Sequence, residues 1–138
     1  GNRSNKQQGA LVGLHYHLHQ ADYWYCPVGT IRVVLHDLRA GGPTDGATEC
    51  FDISGENHLG VYIPPGVAHG FAALTDVVMT YLVDNYYNPA DELGVRYDDP
   101  VIGADWGVSN PILSARDESN PLRVNLPADR RPYWPMRT

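Results

Sequence analysis

Two short motifs constrain the fold of this chain more than any other feature of its sequence. The first runs from Gly9 through His15, His17 and Asp22 to Gly29, with the spacing Gly-x5-His-x-His-x4-Asp-x6-Gly. Side chains two positions apart on a β-strand point to the same face of the sheet. His15 and His17 are therefore predicted to share one face of a strand, and we expect that face to line the interior of a β-barrel.

The second motif is a turn that contains proline and glycine and leads to a histidine. It reads Pro64-Pro65-Gly66-Val67-Ala68-His69, with the spacing Pro-x-Gly-x2-His. Proline and glycine together favour a tight turn, which aims His69 from a second hairpin into the interior that the first two histidines face. Polar side chains at inward positions of a barrel imply a binding or catalytic site.

Length and composition predict one all-β domain. The 138 residues suffice for one domain with a real core and are too few for two ordinary domains. The 14 glycines, 11 prolines and 9 tyrosines suit short strands joined by turns better than helices. We predict a single domain over residues 1–122 and a tail rich in proline and arginine over 123–138, which packs on or beside it. Strands are predicted at 23–26, 30–35, 59–63, 70–74 and 77–83, followed by loops and at most a short helix.

Charge and cysteine content argue against several classes of function. With 10 lysines and arginines against 16 aspartates and glutamates, the net charge is −6, which disfavours nucleic-acid binding. The two cysteines, Cys26 and Cys50, have neither the spacing of a zinc knuckle nor the number that a disulfide framework needs. The sequence has no apolar run as long as a membrane span and no signal-peptide pattern. We therefore expect a cytoplasmic protein without a membrane partner.

The two motifs together resemble the signature of cupin barrels. The predicted fold is therefore an all-β cupin, that is, a double-stranded β-helix or jelly-roll barrel. His15, His17, Asp22 and His69 also resemble the three-histidine, one-carboxylate ligand set of metal-binding cupins, with aspartate in place of the usual glutamate. Imidazole and carboxylate ligands in this mixture suit Fe(II), Mn, Ni or Zn, so one divalent transition metal is an alternative to a site without cofactor.

The remaining histidines are not predicted to take part in the site. His19 follows the first motif in a segment typical of a strand end, so we expect a solvated loop histidine. His36 and His58 have no partner nearby in the sequence, and both are expected at the surface.

Further motifs, spread over most of the chain, resemble one family of sugar-nucleotide enzymes. Beside the turn motif they include Gly13-Leu14-His15-Tyr16, Asp37-Leu38-Arg39, Tyr86-Tyr87-Asn88-Pro89, Asp105-Trp106 and Leu113-Ser114-Ala115-Arg116-Asp117. In order and spacing they resemble the dTDP-4-dehydrorhamnose 3,5-epimerase family from Asn2 to about Leu122. The resemblance implies an isomerase of deoxysugar biosynthesis, which epimerises C3, C5 or both of a dTDP-linked 4-keto-6-deoxyhexose. It also implies a homodimer that needs no cofactor.

The resemblance implies a role for each matching residue. The reaction removes a proton from a carbon next to the C4 keto group and returns one on the opposite face, which requires a base and an acid. His15 matches the base, Asp117 the carboxylate that orients it, Tyr81 the acid, and His69 a histidine that assists near the substrate. The residues expected to contact the substrate are Asn2, Ser4, Gln20, Asp22, Tyr87 and Trp106.

Two positions depart from the family's pattern. Val12 stands where the family has an arginine, and Asp22 stands where it has a lysine that stabilises the enolate. A carboxylate 4 Å from a developing oxyanion costs about 4 kcal/mol at an effective dielectric constant of about 20. The change at Asp22 is compatible with a different substrate, with a single epimerisation, or with an Asp22 that is turned away or protonated.

Three functions therefore remain open on the sequence. The first is the epimerase, the second is a metal-dependent cupin enzyme, and the third is a paralogue that binds a nucleotide sugar without turnover. Relative to the family the match begins late, after N-terminal strands that the family exchanges between subunits.

Overall fold

The computed structural model describes residues 1–136, which form nine strands in two antiparallel sheets. One short helix, α1 (Ala115–Glu118), follows the strands, and 3-10 turns occupy Pro89–Asp91, Arg123–Asn125 and Ala128–Arg130. No helix in this part of the chain is long and apolar enough to cross a membrane. In chain order the strands are β1 (Asn2–Lys6), β2 (Leu11–Tyr16), β3 (Asp22–Val28), β4 (Thr30–Asp37), β5 (Thr48–Ser54), β6 (Gly60–Ile63), β7 (Val67–Ala73), β8 (Val77–Val83) and β9 (Leu93–Gly94).

The strand order confirms the predicted all-β jelly-roll barrel. The four-stranded sheet has the order β1-β8-β3-β6, and the five-stranded sheet has the order β5-β4-β7-β2-β9. Strands distant in sequence therefore lie side by side: β2 pairs with β7, and β3 pairs with both β6 and β8. This pairing brings the two motifs identified in the sequence together, because His15 on β2 is the register partner of His69 on β7.

The core has two layers because the five-stranded sheet is covered on both faces. Between the sheets, Trp24 and Met79 pack against Val33 and Phe71. On the other face, Val34 of β4 lies in a second cluster of apolar side chains. Loops that follow β9 supply much of this second cluster, which accounts for the complete burial of β7 along its length. Neighbouring residues of β4 point to opposite layers, as strand geometry requires.

His36 was predicted at the surface, and this prediction is wrong. Its side chain is fully buried on β4, with Nδ1 2.8 Å from Thr48 Oγ1 and Nε2 2.7 Å from Arg123 Nη1. The Thr48 hydroxyl donates onward to the carbonyl of Ile102, so Nδ1 carries the proton and Nε2 accepts from the guanidinium. Burial, together with the Arg123 charge, lowers the pKa of His36 to about 4. Thr48 is the register partner of His36 on β5 and Arg123 lies 87 residues away in the chain, so the residues next to His36 in sequence do not reveal either partner.

The segment predicted as a tail lies against the barrel as far as the structure describes it. The Tyr16 hydroxyl donates to the carbonyl of Arg130 at 2.7 Å, Leu126 is buried in the second layer of the core, and Tyr133 forms a parallel bridge with Ala40. Residues 137 and 138 of the predicted tail lie outside the described residues.

Candidate active site

A cavity of about 530 Å³ opens between the two sheets. Its walls come from β1, β3 and β8 of the four-stranded sheet and from β2 and β7 of the five-stranded sheet. Most of the side chains predicted for the site lie in this cavity, whose lining residues extend from Asn2 to Glu92. The predicted residues that line it are Asn2, Ser4, His15, Gln20, Asp22, His69, Tyr81 and Tyr87.

His15 and Asp117 form a hydrogen-bonded pair at the edge of the cavity. His15 Nε2 lies 2.6 Å from Asp117 Oδ1, and the backbone N–H of Gly13 donates to Asp117 Oδ2 at 3.0 Å. Burial disfavours the Asp117 charge, but the hydrogen bonds from His15 and Gly13 outweigh this effect and lower the pKa of Asp117. An ionised Asp117 requires the proton on Nε2 of a neutral His15, which leaves Nδ1 as the basic nitrogen.

The local backbone of β2 makes this pair possible. The register of β2 against β7 shifts between Val12 and His15, and Gly13 within this bulge has φ +134°. A β-carbon at Gly13 would lie 2.7 Å from the Cα of Gly70, so only glycine fits this close approach of two strands. The bulge turns the Gly13 N–H towards helix α1, where Ser114 caps the first turn and positions Asp117.

Tyr81 lies on the opposite wall from His15. It belongs to β8 of the four-stranded sheet, where its register partners are Asn2 on β1 and Trp24 on β3. Its side chain is half-buried and lines the cavity. The cavity therefore has an imidazole on one sheet and a phenol on the facing sheet, which is the arrangement needed for proton transfer at two faces of one substrate.

Strand β1 presents a polar row to the cavity that sequence analysis only partly recognised. Asn2, Ser4 and Lys6 alternate along the strand and all line the cavity. Period-two alternation from Asn2 and Ser4 would have identified Lys6 as the third member. Among the described lining residues, Lys6 is the only lysine or arginine. The cavity is also lined by Asn85, Tyr86 and Glu92, which follow β8 and were not predicted because they lie outside any strand pattern.

Trp106 does not reach the cavity, contrary to its predicted contact with the substrate. It is buried in the second core layer, and its indole N–H donates to the carbonyl of Tyr97 at 2.9 Å. A β-carbon placed on Gly70 would lie 2.7 Å from the edge of the Trp106 ring. Trp106 therefore packs directly behind β7, and any influence it has on the site passes through that strand.

Three of the four residues in the predicted metal set converge on the cavity wall. Potential ligand atoms of His17, Asp22 and His69 lie within 4.8 Å of one another, and all three residues are buried. His15 does not join them, because its ring nitrogens are not within this distance of the other three side chains. The predicted four-ligand set is therefore wrong in its fourth member, and the cluster has two imidazoles and one carboxylate.

Hydrogen bonds fix the orientation of this cluster. The Asp22 carboxylate accepts from Gln20 Nε2 at 2.8 Å and from the indole N–H of Trp24 at 3.2 Å. The Nδ1 atom of His69 lies 3.0 Å from the carbonyl of Val67, so Nδ1 carries the proton and Nε2 is the acceptor. Burial lowers the pKa of His69 to about 4, against a smaller opposing effect of the Asp22 charge. His69 is therefore neutral at neutral pH.

Comparison with known proteins assigns the chain to a family. A match to the family described as dTDP-4-dehydrorhamnose 3,5-epimerase covers residues 1–123. The chain belongs to this family. The dTDP-4-dehydrorhamnose 3,5-epimerase of Shigella flexneri is 38% identical over 120 residues, which are 84% of this chain and 66% of that protein. The chain thus spans about two thirds of the length of this curated relative.

Solved structures agree with the family assignment and with the fold. A dTDP-6-deoxy-D-glucose-3,5-epimerase from Legionella pneumophila, in complex with dTDP-4-keto-L-rhamnose, matches with a TM-score of 0.91 and 34% identity. The match covers 96% of this chain and 73% of that chain. ChmJ, a 3'-monoepimerase from Streptomyces bikiniensis in complex with dTDP-quinovose, matches with a TM-score of 0.88 and 34% identity, over 96% of this chain and 70% of that one.

Both departures from the epimerase family's pattern lie in the cavity itself. Val12 and Asp22 both line the cavity, so each change alters the surface that a bound ligand would contact. Asp22 is not turned away from the site, because its carboxylate lies between His17 and His69 at 3.8 Å from a ring nitrogen of each. A turned-away Asp22 is therefore excluded as the explanation for this change, whereas a different substrate, a single epimerisation or a protonated Asp22 is not.

Proposed function

We propose that this protein epimerises C3, C5 or both of a dTDP-linked 4-keto-6-deoxyhexose in deoxysugar biosynthesis. The observation that carries the proposal is the His15–Asp117 pair on one wall of a cavity whose facing wall holds Tyr81. Two related structures support the substrate class, since they contain dTDP-4-keto-L-rhamnose and dTDP-quinovose.

His15 acts as the base in this proposal. Its Nδ1 is the nitrogen not engaged by Asp117, so it takes the proton from the carbon next to the C4 keto group. The imidazolium that forms is stabilised by the ionised Asp117 at 2.6 Å, which also holds the ring in the tautomer that leaves Nδ1 free. The pair thus follows the same logic as the His–Asp part of a catalytic triad.

Tyr81 acts as the acid from the other sheet. Removal of a proton gives a planar enolate, and inversion requires that the new proton arrives on the face opposite to the base. A donor on β8 and a base on β2 meet this requirement, because the two strands form opposite walls of the cavity. His69 assists from the wall beside His15 as a neutral side chain.

The polar row on β1 supports binding of the nucleotide part. Lys6 offers a positive charge to a diphosphate, and Asn2 and Ser4 offer hydrogen bonds along the same wall. Tyr87 is largely exposed where it lines the cavity, and its ring can cover a bound ligand. Gln20 is held to Asp22 and orients that carboxylate within the wall.

The test measures deuterium uptake into dTDP-4-keto-6-deoxyglucose in heavy water by NMR. His15→Ala and Tyr81→Phe should each reduce the uptake rate at C3 or C5 by at least about 100-fold, the lower range for loss of an acid–base group. His58→Ala is the matched control, because His58 is exposed and does not line the cavity. Full uptake in both cavity variants would overturn the assignment, and dTDP binding without uptake in the unaltered chain would favour the non-catalytic paralogue.

We also propose that the protein works in the cytoplasm as a homodimer. The free thiol of exposed Cys50 suits a reducing compartment.

The dimer is supported by an exposed apolar row across three strands of the four-stranded sheet. On β3, Tyr23 is the register partner of both Tyr62 on β6 and Leu82 on β8, and all three side chains are largely exposed. A second copy of the chain can cover this row. Light scattering of the full chain tests the dimer: Tyr23→Ser should shift the mass towards the monomer, and a monomeric unaltered chain would contradict it.

A further inference from the structure

Three hydrogen-bond acceptors, on Asp22, His69 and His17, lie close together in the cavity wall. Asp22 is the first, because its carboxylate only accepts hydrogen bonds when ionised. His69 is the second, because its Nδ1–H is used by the carbonyl of Val67 and its Nε2 lies 3.8 Å from Asp22 Oδ2. Asp22 and the Nε2 atom of His69 therefore turn lone pairs towards the same part of the wall.

His17 supplies the third acceptor. Its Nε2 lies 3.4 Å from the carboxylate of Glu92, which can only accept, so the proton of a neutral ring belongs on Nε2. Its Nδ1 lies 3.8 Å from Asp22 Oδ1, is buried, and has no hydrogen-bond partner among the described residues. A buried ring nitrogen without a partner is costly, and one that faces a carboxylate lone pair is more so.

We propose that His17, Asp22 and His69 bind one divalent transition-metal ion of the Zn²⁺ class. Two imidazole nitrogens and one carboxylate form a common ligand set for such an ion, with a fourth position left for water or substrate. Ligands about 2.1 Å from a tetrahedral ion lie about 3.4 Å apart. The potential ligand atoms here lie within 4.8 Å of one another, so binding requires them to move closer by up to about 1.4 Å.

The surroundings of the cluster match those of a built metal site. Each proposed ligand has an outer hydrogen-bond partner: Glu92 for His17, and the Val67 carbonyl for His69. Two donors, on Gln20 and Trp24, orient the Asp22 carboxylate. Such partners fix the tautomer and orientation of metal ligands in proteins.

The ion also reverses the sign of the charge in this part of the cavity. Asp22 alone is negative, and a carboxylate near a developing enolate is unfavourable. With a divalent ion, the Asp22 site becomes net positive and can stabilise an oxyanion as a Lewis acid. This catalytic role rests on the proposed function, whereas binding of the ion does not.

Calorimetric titration of the EDTA-treated full chain with Zn²⁺ tests the site. We expect one ion per chain. His17→Gln and Asp22→Asn should each weaken Zn²⁺ binding by at least ~100-fold, because loss of a side chain that only orients a metal ligand already weakens binding by up to about 100-fold. His19→Gln is the matched control, because His19 belongs to the same His-x-His-x-His run but is exposed and should leave the affinity unchanged. Equal affinity in all three variants, or a loss in His19→Gln alone, would overturn the proposal.

A spectroscopic titration of the unaltered chain remains decisive if a variant fails to fold. Co²⁺ held by four ligands absorbs visible light strongly. One equivalent of Zn²⁺ should displace the Co²⁺ and abolish that absorption. The absence of that absorption would overturn the site. If the EDTA-treated chain takes up deuterium into the sugar and binds no metal, the metal site is refuted and the proposed epimerase function is not. If the chain binds metal and catalyses no uptake, the epimerase function is refuted and the metal site is not.

Discussion

Replacement of Asp117 by asparagine tests the link between the buried pair and catalysis. The change removes one charge and keeps the shape of the side chain, which is buried and bonded to both His15 and Gly13. If the amide oxygen keeps the Gly13 N–H, the NH₂ group faces His15 Nε2 and moves the ring proton to Nδ1. If the amide is reversed, two donors face each other at Gly13. The first arrangement removes the free base, and the second keeps it but loses the hydrogen bond from Gly13.

The magnitude follows from the strength of the lost interaction. A hydrogen bond to a charged group contributes about 1.5–3 kcal/mol, and 1.36 kcal/mol corresponds to a tenfold change in rate. Loss of the His15–Asp117 interaction alone therefore slows proton abstraction by roughly 10- to 150-fold. The wrong tautomer slows it further, to as much as ~10⁴-fold, as the corresponding change does in a Ser-His-Asp triad.

The assay is the rate of deuterium uptake into dTDP-4-keto-6-deoxyglucose, together with nitrogen NMR shifts of the His15 ring. We expect slow uptake and a proton moved from Nε2 to Nδ1 in Asp117→Asn. Glu118→Gln is the matched control, since it removes the same charge from an exposed neighbour on α1. Uptake within twofold of the unaltered rate, in a folded Asp117→Asn protein with the proton on Nδ1, would refute the reasoning.

Two further predictions concern stability. The pKa of His36 is about 4 in the fold against 6.5 in the unfolded chain, so as pH falls through this interval the unfolded chain takes up the proton first. The free energy of unfolding then decreases by about 3 kcal/mol. Denaturant titrations across the interval should show this decrease in the unaltered chain and not in His36→Gln. An equal acid sensitivity in both proteins would contradict the account. Gly13→Ala should destabilise the fold by more than ~3 kcal/mol, because its β-carbon would lie 2.7 Å from the Cα of Gly70. In Gly41→Ala the β-carbon meets no atom of residues 1–136 within 4 Å, so this change should cost about 1 kcal/mol; equal melting temperatures of the two variants would contradict the prediction.

What the sequence allowed us to predict was largely set by local geometry. Period-two alternation and the Pro-Pro-Gly turn were enough to bring His15, His17 and His69 towards one cavity. Asp117 could be named only through the family resemblance, because it reaches His15 from 102 residues away in the chain. No local pattern encodes a contact of that kind.

The errors have the same origin. His36 has partners on a neighbouring strand and in the C-terminal segment, so its burial follows from tertiary pairing. Trp106 belongs to a second core layer that covers the outer face of β7, and the sequence predicted only one interior. His15 was placed in a metal set because its spacing fits, but its ring nitrogens do not come close enough to the other three side chains.

The central claim is that His15 and Tyr81 transfer protons next to a keto group from opposite walls of one cavity. The most direct measurement follows the proton NMR signals at C3 and C5 of dTDP-4-keto-6-deoxyglucose, incubated with the unaltered chain in heavy water. We predict that at least one of these signals disappears at an enzyme-dependent rate, with product inverted at the same carbon. Signals that persist while the sugar nucleotide is bound would contradict the claim.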